Sequence, residues 1–272
     1  MRLSGIHTYP VKGCHRRDHD DARVQPWGLA GDRRWMVVDA AGVGVTQRES
    51  TRLVALRATV RDGGLLLRAP DRPDLDVPEP AGGAPVAVRT FRNRKLPVPA
   101  LPAGPAADGW LSGLLGQPVR LVWLAEPTRH IPAGDREYDT GDQVSFADAY
   151  PLLLASTASL AALNDWLAEA GEEAVPMSRF RPNLVVDGAP AWAEDGWAGR
   201  PLRIGGVHFR AAGHCDRCVV TTTDQETGIR GKEPLRTLAR HRKVEQKLLF
   251  GLHLVPATTG TVAVGDPVRV DG

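Results

Sequence analysis

The chain has 272 residues, enough for one large domain or two ordinary ones, and its 42% apolar and 24% charged residues are the balance of a globular protein with a sizeable core. A formal charge of +2 excludes a general affinity for polyanions, and no apolar run approaches the roughly 20 residues that span a bilayer, so neither nucleic acid nor membrane is an expected partner. Cys14, Cys215 and Cys218 are too few for a disulfide framework, and residues 1–9 read as a strand and not as a signal peptide, so a soluble, reducing, cytoplasmic setting is expected.

The first half reads as β-rich. Strands are predicted at Arg2–Tyr9, Arg34–Asp39, Leu53–Val60, Leu65–Arg68 and Val86–Arg89. Arg61-Asp62-Gly63-Gly64 between two of them predicts a hairpin, because Asp and Gly tolerate positive φ. Pro97–Pro105 reads as a connector. A short helix is predicted over Asp108–Leu115, capped by the Asp108 carboxylate, and then a strand over Pro118–Leu124. Glu126–Gly141 reads as a polar surface excursion.

The second half mixes types. Tyr150–Ala155 is strand-sized, and Ser156 opens a helix whose Leu160, Leu163, Trp166 and Leu167 recur at helical spacing until Gly171. Strands are predicted at Asn183–Val186, Leu202–Ile204, Val207–Ala211 and Cys218–Thr222. A short helix over Glu233–Arg240 follows, with Pro234 in its first turn. Leu252–Val255, Thr261–Val264 and Val268–Val270 close the chain as strands.

His214-Cys215-Asp216-Arg217-Cys218 is the most informative segment. A Cys-x-x-Cys pair can be half a zinc site, but structural zinc needs four ligands and only Cys14 and scattered histidines remain. It can be a thioredoxin-type redox pair, but that pair opens a helix, and Val219-Val220-Thr221-Thr222-Thr223 is a β-branched run that favours strand. It can hold a single functional thiolate, favoured by the neighbouring Arg217. It can also be two small buried apolar residues and nothing more.

Basic residues stand at other strand ends. Lys12 follows the first strand, Arg33 and Arg34 precede Trp35, and Arg181-Pro182-Asn183 precedes another strand. An exposed Lys or Arg is usually solvated surface. Together, at strand termini, these could form a cationic pocket for a phosphorylated ligand.

Taken in order, several motifs resemble one family. They are Tyr9-Pro10-Val11-Lys12, Asp32-Arg33-Arg34-Trp35, Thr46-Gln47-Arg48, Phe180-Arg181-Pro182-Asn183, and Cys215-Asp216-Arg217-Cys218 with Thr221-Thr222-Thr223-Asp224. Gly231-Lys232-Glu233-Pro234-Leu235 and Val264-Gly265-Asp266-Pro267-Val268 complete the set. The chain is similar to the mitochondrial amidoxime-reducing component and its bacterial relatives. The resemblance implies a mixed α+β, β-rich fold with peripheral helices. An N-terminal MOSC β-barrel domain over residues 1–123 would be followed by a MOSC β-barrel domain over 124–272.

The resemblance further implies a molybdenum-molybdopterin cofactor whose metal takes one protein sulfur, Cys218, with Cys215 either a bystander or a neighbour that supports the metal site without ligating it. Lys12 and Arg33 would meet the pterin phosphate, Arg181 and Asn183 would join them, and Asp148 would handle a proton or position a water near the metal. Pyridoxal phosphate binding attaches only as a general family association, with no residue assigned. The family chemistry is reductive removal of oxygen from N-hydroxylated or N-oxide-type substrates. Relatives often have Ser where Gly13 stands, and small hydroxyl residues where Ala149 and Tyr150 stand, so the pocket is expected to differ here.

Some bacterial relatives continue into an iron–sulfur domain. This chain ends after its last predicted strand, so its electrons are expected from a separate ferredoxin-, flavin- or cytochrome-type reductase. The rivals are a molybdenum-cofactor or sulfur carrier without oxotransfer, and a small zinc- or thiol-regulated binding module.

Overall fold

The computed structural model describes residues 1–90, 97–127, 129–131 and 141–271. Its largest sheet runs, edge to edge, Val268–Val270, Pro201–Ile204, Val207–Asp216, Lys247–Pro256, Leu152–Ser156, Leu184–Asp187, Arg2–Thr8 and Arg17–His19, with Lys243–Val244 added beside Lys247–Pro256. Neighbours are antiparallel except Leu152–Ser156 with Leu184–Asp187. A parallel pair needs a crossover, and helix α2 (Thr157–Glu169) lies in that connection. Ser156 caps α2, as expected, by accepting from the Ser159 amide.

One face of this sheet buries Leu3, Ile6, Leu154, Leu184, Phe209 and Leu252 in a single core. Three smaller sheets complete the strands. Trp35–Val38, Arg120–Trp123, Val98–Pro102 and Val86–Val88 form one, Arg57–Arg61, Gly64–Arg68 and Leu75–Pro78 a second. The third joins Gly260–Ala263 to Asp21–Gln25 and Gly28–Leu29. The fold is mixed α+β and rich in strand, and among the described residues no sheet closes on itself. No described helix is long and apolar enough to cross a membrane.

The Asp-Gly hairpin forms as read, with Arg61 opposite Gly64. Several local expectations give way to tertiary pairing. Pro97–Pro105 is not a plain connector: Val98–Pro102 is a strand that buries Val98 and Ala100 and exposes Pro99, so alternation outweighs proline content. Helix α1 (Pro105–Leu115) begins three residues earlier than expected, with Pro105 in its first turn and Gly104 as its cap. Asp108 does not cap it; its carboxylate accepts instead from the Leu121 amide at 2.8 Å, tying α1 to the next strand. Thr51–Ala55 is a 3-10 turn, and the strand read from Leu53 starts at Arg57.

The Cys218–Thr222 strand is also absent. Cys218 is extended, and Val219–Thr222 is a 3-10 turn. The Thr221 and Thr222 hydroxyls donate to the carbonyls of Cys218 and Val219, at 2.9 and 2.8 Å. These local bonds override the β preference of the run. Helix α3 (Leu235–His241) starts just after Pro234. Most of the polar stretch Glu126–Gly141 lies outside the described residues.

Candidate functional site

Strand ends from both halves of the chain meet around one cavity of about 160 Å³. Lys12, Arg33, Asp148, Arg181, Asn183 and Cys218 all line it. The Lys12 amide donates to the Trp35 carbonyl at 2.8 Å, which fixes the turn after the first strand. Gly13 then takes φ +86°, a conformation that costs glycine little.

A polar chain crosses the cavity wall. Lys12 Nζ donates to the Phe146 carbonyl at 2.7 Å and to the Asp148 carboxylate. The other Asp148 oxygen accepts from Arg48 Nη2 at 3.1 Å, and the same nitrogen lies 3.2 Å from Cys218 Sγ. Burial pulls the Lys12 ammonium down to about 8, with the Asp148 carboxylate opposing the shift. Burial works against the Asp148 charge too, but Lys12 and Arg48 outweigh it and hold the carboxyl well below the usual carboxylate range. Asp148 is therefore an anion that accepts hydrogen bonds at any ordinary pH.

A second group surrounds Tyr9. The Arg181 guanidinium lies 4.0 Å from the ring centroid and that of Arg33 lies 4.6 Å away. The phenol donates to the Pro182 carbonyl at 3.1 Å, and burial pushes its pKa up to about 12 despite both arginines. Arg33 also pairs with Asp32, whose second oxygen accepts from the Tyr9 amide at 2.7 Å. Asn183 accepts from Arg33 Nη1 at 3.2 Å and donates to the His7 carbonyl at 3.1 Å. Both arginines adopt left-handed backbone conformations, φ +49° and +54°. For non-glycine residues such conformations are uncommon and need support from their surroundings.

The two cysteines differ. Cys215 is the penultimate residue of the long Val207–Asp216 strand, is buried, and receives Arg217 Nη1 at 2.9 Å. Burial raises its pKa, but Arg217 and His253 outweigh burial and bring the thiol down to about 6. Cys218 is half-buried at the start of the 3-10 turn. The expectation that Arg217 serves Cys218 is thus corrected: Arg217 meets Cys215, and Arg48 meets Cys218. Cys14 is buried outside the cavity lining, its thiol pushed up to about 11 by burial. Among the described residues no group of three or more His, Cys, Asp or Glu could hold a metal ion.

Sequence reasoning passed over Arg48 and His253 as cavity groups and left Cys215 either a bystander or a support for the metal site; all three line the cavity. Arg48 had a signal in the Thr46-Gln47-Arg48 motif. His253 had none: it sits mid-strand and reaches the cavity because it registers against Leu153 and stacks on Tyr150, ring centroids 4.6 Å apart.

Comparison with known proteins adds the following. Residues 1–118 match the MOSC N-terminal beta barrel domain and residues 141–269 match the MOSC domain. Human mitochondrial amidoxime-reducing component 1 is 36% identical over 99% of this chain and 83% of its own length. Human mitochondrial amidoxime reducing component 2 is 33% identical over 98% and 82%. Among solved structures, the YuaD protein of Bacillus subtilis aligns over 99% of this chain and 94% of its own, at 11% identity and a TM-score of 0.45.

Proposed function

The chain belongs to the MOSC-domain family of the mitochondrial amidoxime-reducing components, and from that premise we propose that it reduces N-hydroxylated or N-oxide-type compounds using a molybdenum-molybdopterin cofactor. The observation that carries the reading is that Cys218 lines a cavity together with Lys12, Arg33 and Arg181. On this reading the chain divides near Trp123, and the Arg2–Thr8 strand crosses into the sheet of the second part.

The donor set suits the cofactor. Cys218 offers one soft sulfur, which is the kind of ligand molybdenum takes alongside a dithiolene. With no cluster of three protein ligands among the described residues, a metal here needs its remaining ligands from a small molecule. Lys12, Arg33 and Arg181 offer a point charge and two planar forks for a phosphate. When bound, the cofactor would supply the two-electron oxygen-abstraction chemistry that protein side chains lack.

The net reaction for a hydroxylamine is R–NH–OH plus two electrons and two protons giving R–NH2 and water; an amidoxime gives an amidine in the same way. Cys218 would ligate the metal. Lys12 and Arg33 would hold the pterin phosphate, with Tyr9 and Asn183 fixing Arg33 in place. Arg181, locked by the carbonyl of Cys14 and the Gln225 amide oxygen at 2.9 Å each, would complete the cationic wall. Asp148, ionised throughout, would accept hydrogen bonds from a water and keep Lys12 and Arg48 aimed at the cavity. The two electrons would come singly from a separate redox protein.

The test is molybdenum and pterin content of purified protein, followed by N-hydroxy reductase turnover with an artificial reductant. Cys218→Ala should abolish turnover and alter the metal's spectroscopic signature. A protein with pterin but no turnover would be a carrier, and one without molybdenum would refute the reading.

A further inference from the structure

Residues 229–247 contain seven Arg and Lys against two Glu, an excess of five in a chain whose whole excess is two. This density is local, so the remainder of the chain is slightly acidic. The segment forms the loop before α3, α3 itself and the Lys243–Val244 hairpin arm. Lys232, Arg236 and Arg240 recur every four residues. Arg236 and Arg240 share one face of α3, with Thr237 and Leu238 buried on the other. Arg236 reaches Glu172 and Glu233 only at 3.7 and 4.0 Å. Lys232, Arg240, Lys243 and Lys247 are exposed and make no ion pair among the described residues. Folding therefore leaves most of this charge without an acidic partner.

Its position matters as much as its charge. Helix α3 packs against the Val219–Thr222 turn that begins at Cys218. Arg230, at the head of the segment, donates to the carbonyl of Gln47 and, at 3.4 Å, to that of Arg48, both residues of the cavity wall. Two aliphatic side chains are exposed in this region: Ile229 (70% exposed), next to Arg230 in the chain, and Val219 (37%), next to Cys218 on the turn that packs against α3. Exposed aliphatic side chains in a region rich in unpaired cations suit a transient protein interface. A phosphate backbone would leave those aliphatic groups uncovered, whereas a protein partner would bury them.

We propose that the face formed by Val219, Ile229, Lys232, Arg236, Arg240 and Lys243 is the docking surface for an acidic one-electron carrier protein, which delivers its electrons beside Cys218. The proposal rests on the reductase reading above and names its partner surface. Two encounters supply the two electrons of one turnover, each leaving the carrier oxidised by one electron. The unpaired cations steer the carrier and set its on-rate, so the complex is weak, fast and sensitive to salt.

The experiment uses the full chain and two acidic carriers as probes, a plant-type [2Fe–2S] ferredoxin and a flavodoxin. Affinity is measured at low and high salt for wild type, Arg236→Glu/Arg240→Glu, and Lys232→Glu/Lys243→Glu, whose residues make no ion pairs among the described residues. Arg61→Glu/Arg68→Glu, an equal charge reversal at two exposed positions of the hairpin formed by Arg57–Arg61 and Gly64–Arg68, is the control. Wild type should bind at least one carrier and lose affinity as salt rises. Both face variants should bind about tenfold or more weakly, and the control within about twofold of wild type. Turnover driven by reduced viologen should be the same in all four. The proposal is overturned if face and control variants weaken binding alike, or if the face variants bind as wild type does. It is equally overturned if wild type binds neither carrier, including the case where duplex DNA or anionic vesicles bind this face instead. Absence of viologen-driven turnover in molybdenum-loaded wild type would refute the reductase reading alone, since carrier affinity is read without turnover.

Discussion

The Arg181 guanidinium lies 4.0 Å from the centroid of the Tyr9 ring, and Arg33 shares that ring at 4.6 Å. One buried aromatic side chain thereby sets the position of two cavity cations that come from segments about 150 residues apart. If the proposed molybdenum cofactor binds here, Tyr9→Leu should remove that support and lower its retention several-fold, measured as molybdenum per chain. Tyr9→Phe should keep the ring and the retention. It loses only the phenol bond to Pro182, a stability cost of about 1–2 kcal/mol seen as a lower denaturant midpoint. Equal retention in both variants would remove Tyr9 from this role.

Lys12 should impose a pH limit on anion binding. Its folded pKa is about 8, below the ordinary lysine value of 10.5, so it loses its charge as pH rises through about 8. Sulfate, whose own charge is constant over this range, should bind more weakly above that pH. Lys12→Arg should abolish the break, and Asp148→Asn should move it to lower pH by removing the carboxylate that opposes burial. For stability the sign is opposite. The unfolded chain holds the Lys12 proton up to about 10.5, so between about 8 and 10.5 this group makes folding more favourable as pH rises. A flat sulfate affinity from neutral to alkaline pH would contradict the prediction.

The cysteines should titrate apart. In a Cys14→Ser/Cys218→Ser background, the ultraviolet thiolate absorbance of Cys215 should appear near pH 6. Arg217→Gln should return it toward the ordinary thiol range, because the guanidinium at 2.9 Å is the main group opposing burial. In a Cys215→Ser/Cys218→Ser background, Cys14 should stay protonated until about pH 11. An ordinary titration of Cys215 would show that Arg217 does not hold its thiolate.

Gly251 should resist substitution. It sits within the Lys247–Pro256 strand at φ +83°, and an added Cβ would stand 2.7 Å from the Leu154 carbonyl oxygen. Gly251→Ala combines a disfavoured backbone with a close approach to fixed backbone, so about 1–3 kcal/mol of destabilisation is expected in chemical denaturation. A midpoint unchanged from wild type would mean that the strand shifts to make room.

What was legible in the sequence was local or motif-borne. Lys12, Arg33, Arg181 and Asn183 stand at the ends of alternating apolar runs, and their arrival in one cavity follows from strand pairing. The α2 helix was legible because Ser156 and a 3.6-residue apolar period agree. The Cys218 turn was not, because two threonine hydroxyls bonding their own backbone reverse what β-branching suggests. Asp21–Gln25 was missed because it is largely polar, and it becomes a strand by pairing with Gly260–Ala263 on one side and Gly28–Leu29 on the other. Arg217 illustrates the limit of adjacency: one residue from Cys218 along the chain, its guanidinium bonds Cys215.

The antiparallel pairing of Arg2–Thr8 with Leu184–Asp187 has a consequence for how the chain is made. The first strand leaves the ribosome with neither its partner nor the far wall of the cavity in existence. At typical translation speeds of about 5–20 residues per second, that partner follows roughly ten to forty seconds later. Until then a segment with Leu3, Ile6 and Tyr9 lies open to mispairing. The yield of native protein should therefore respond to elongation speed and to chaperones that shield a nascent β edge, even where the finished protein is stable.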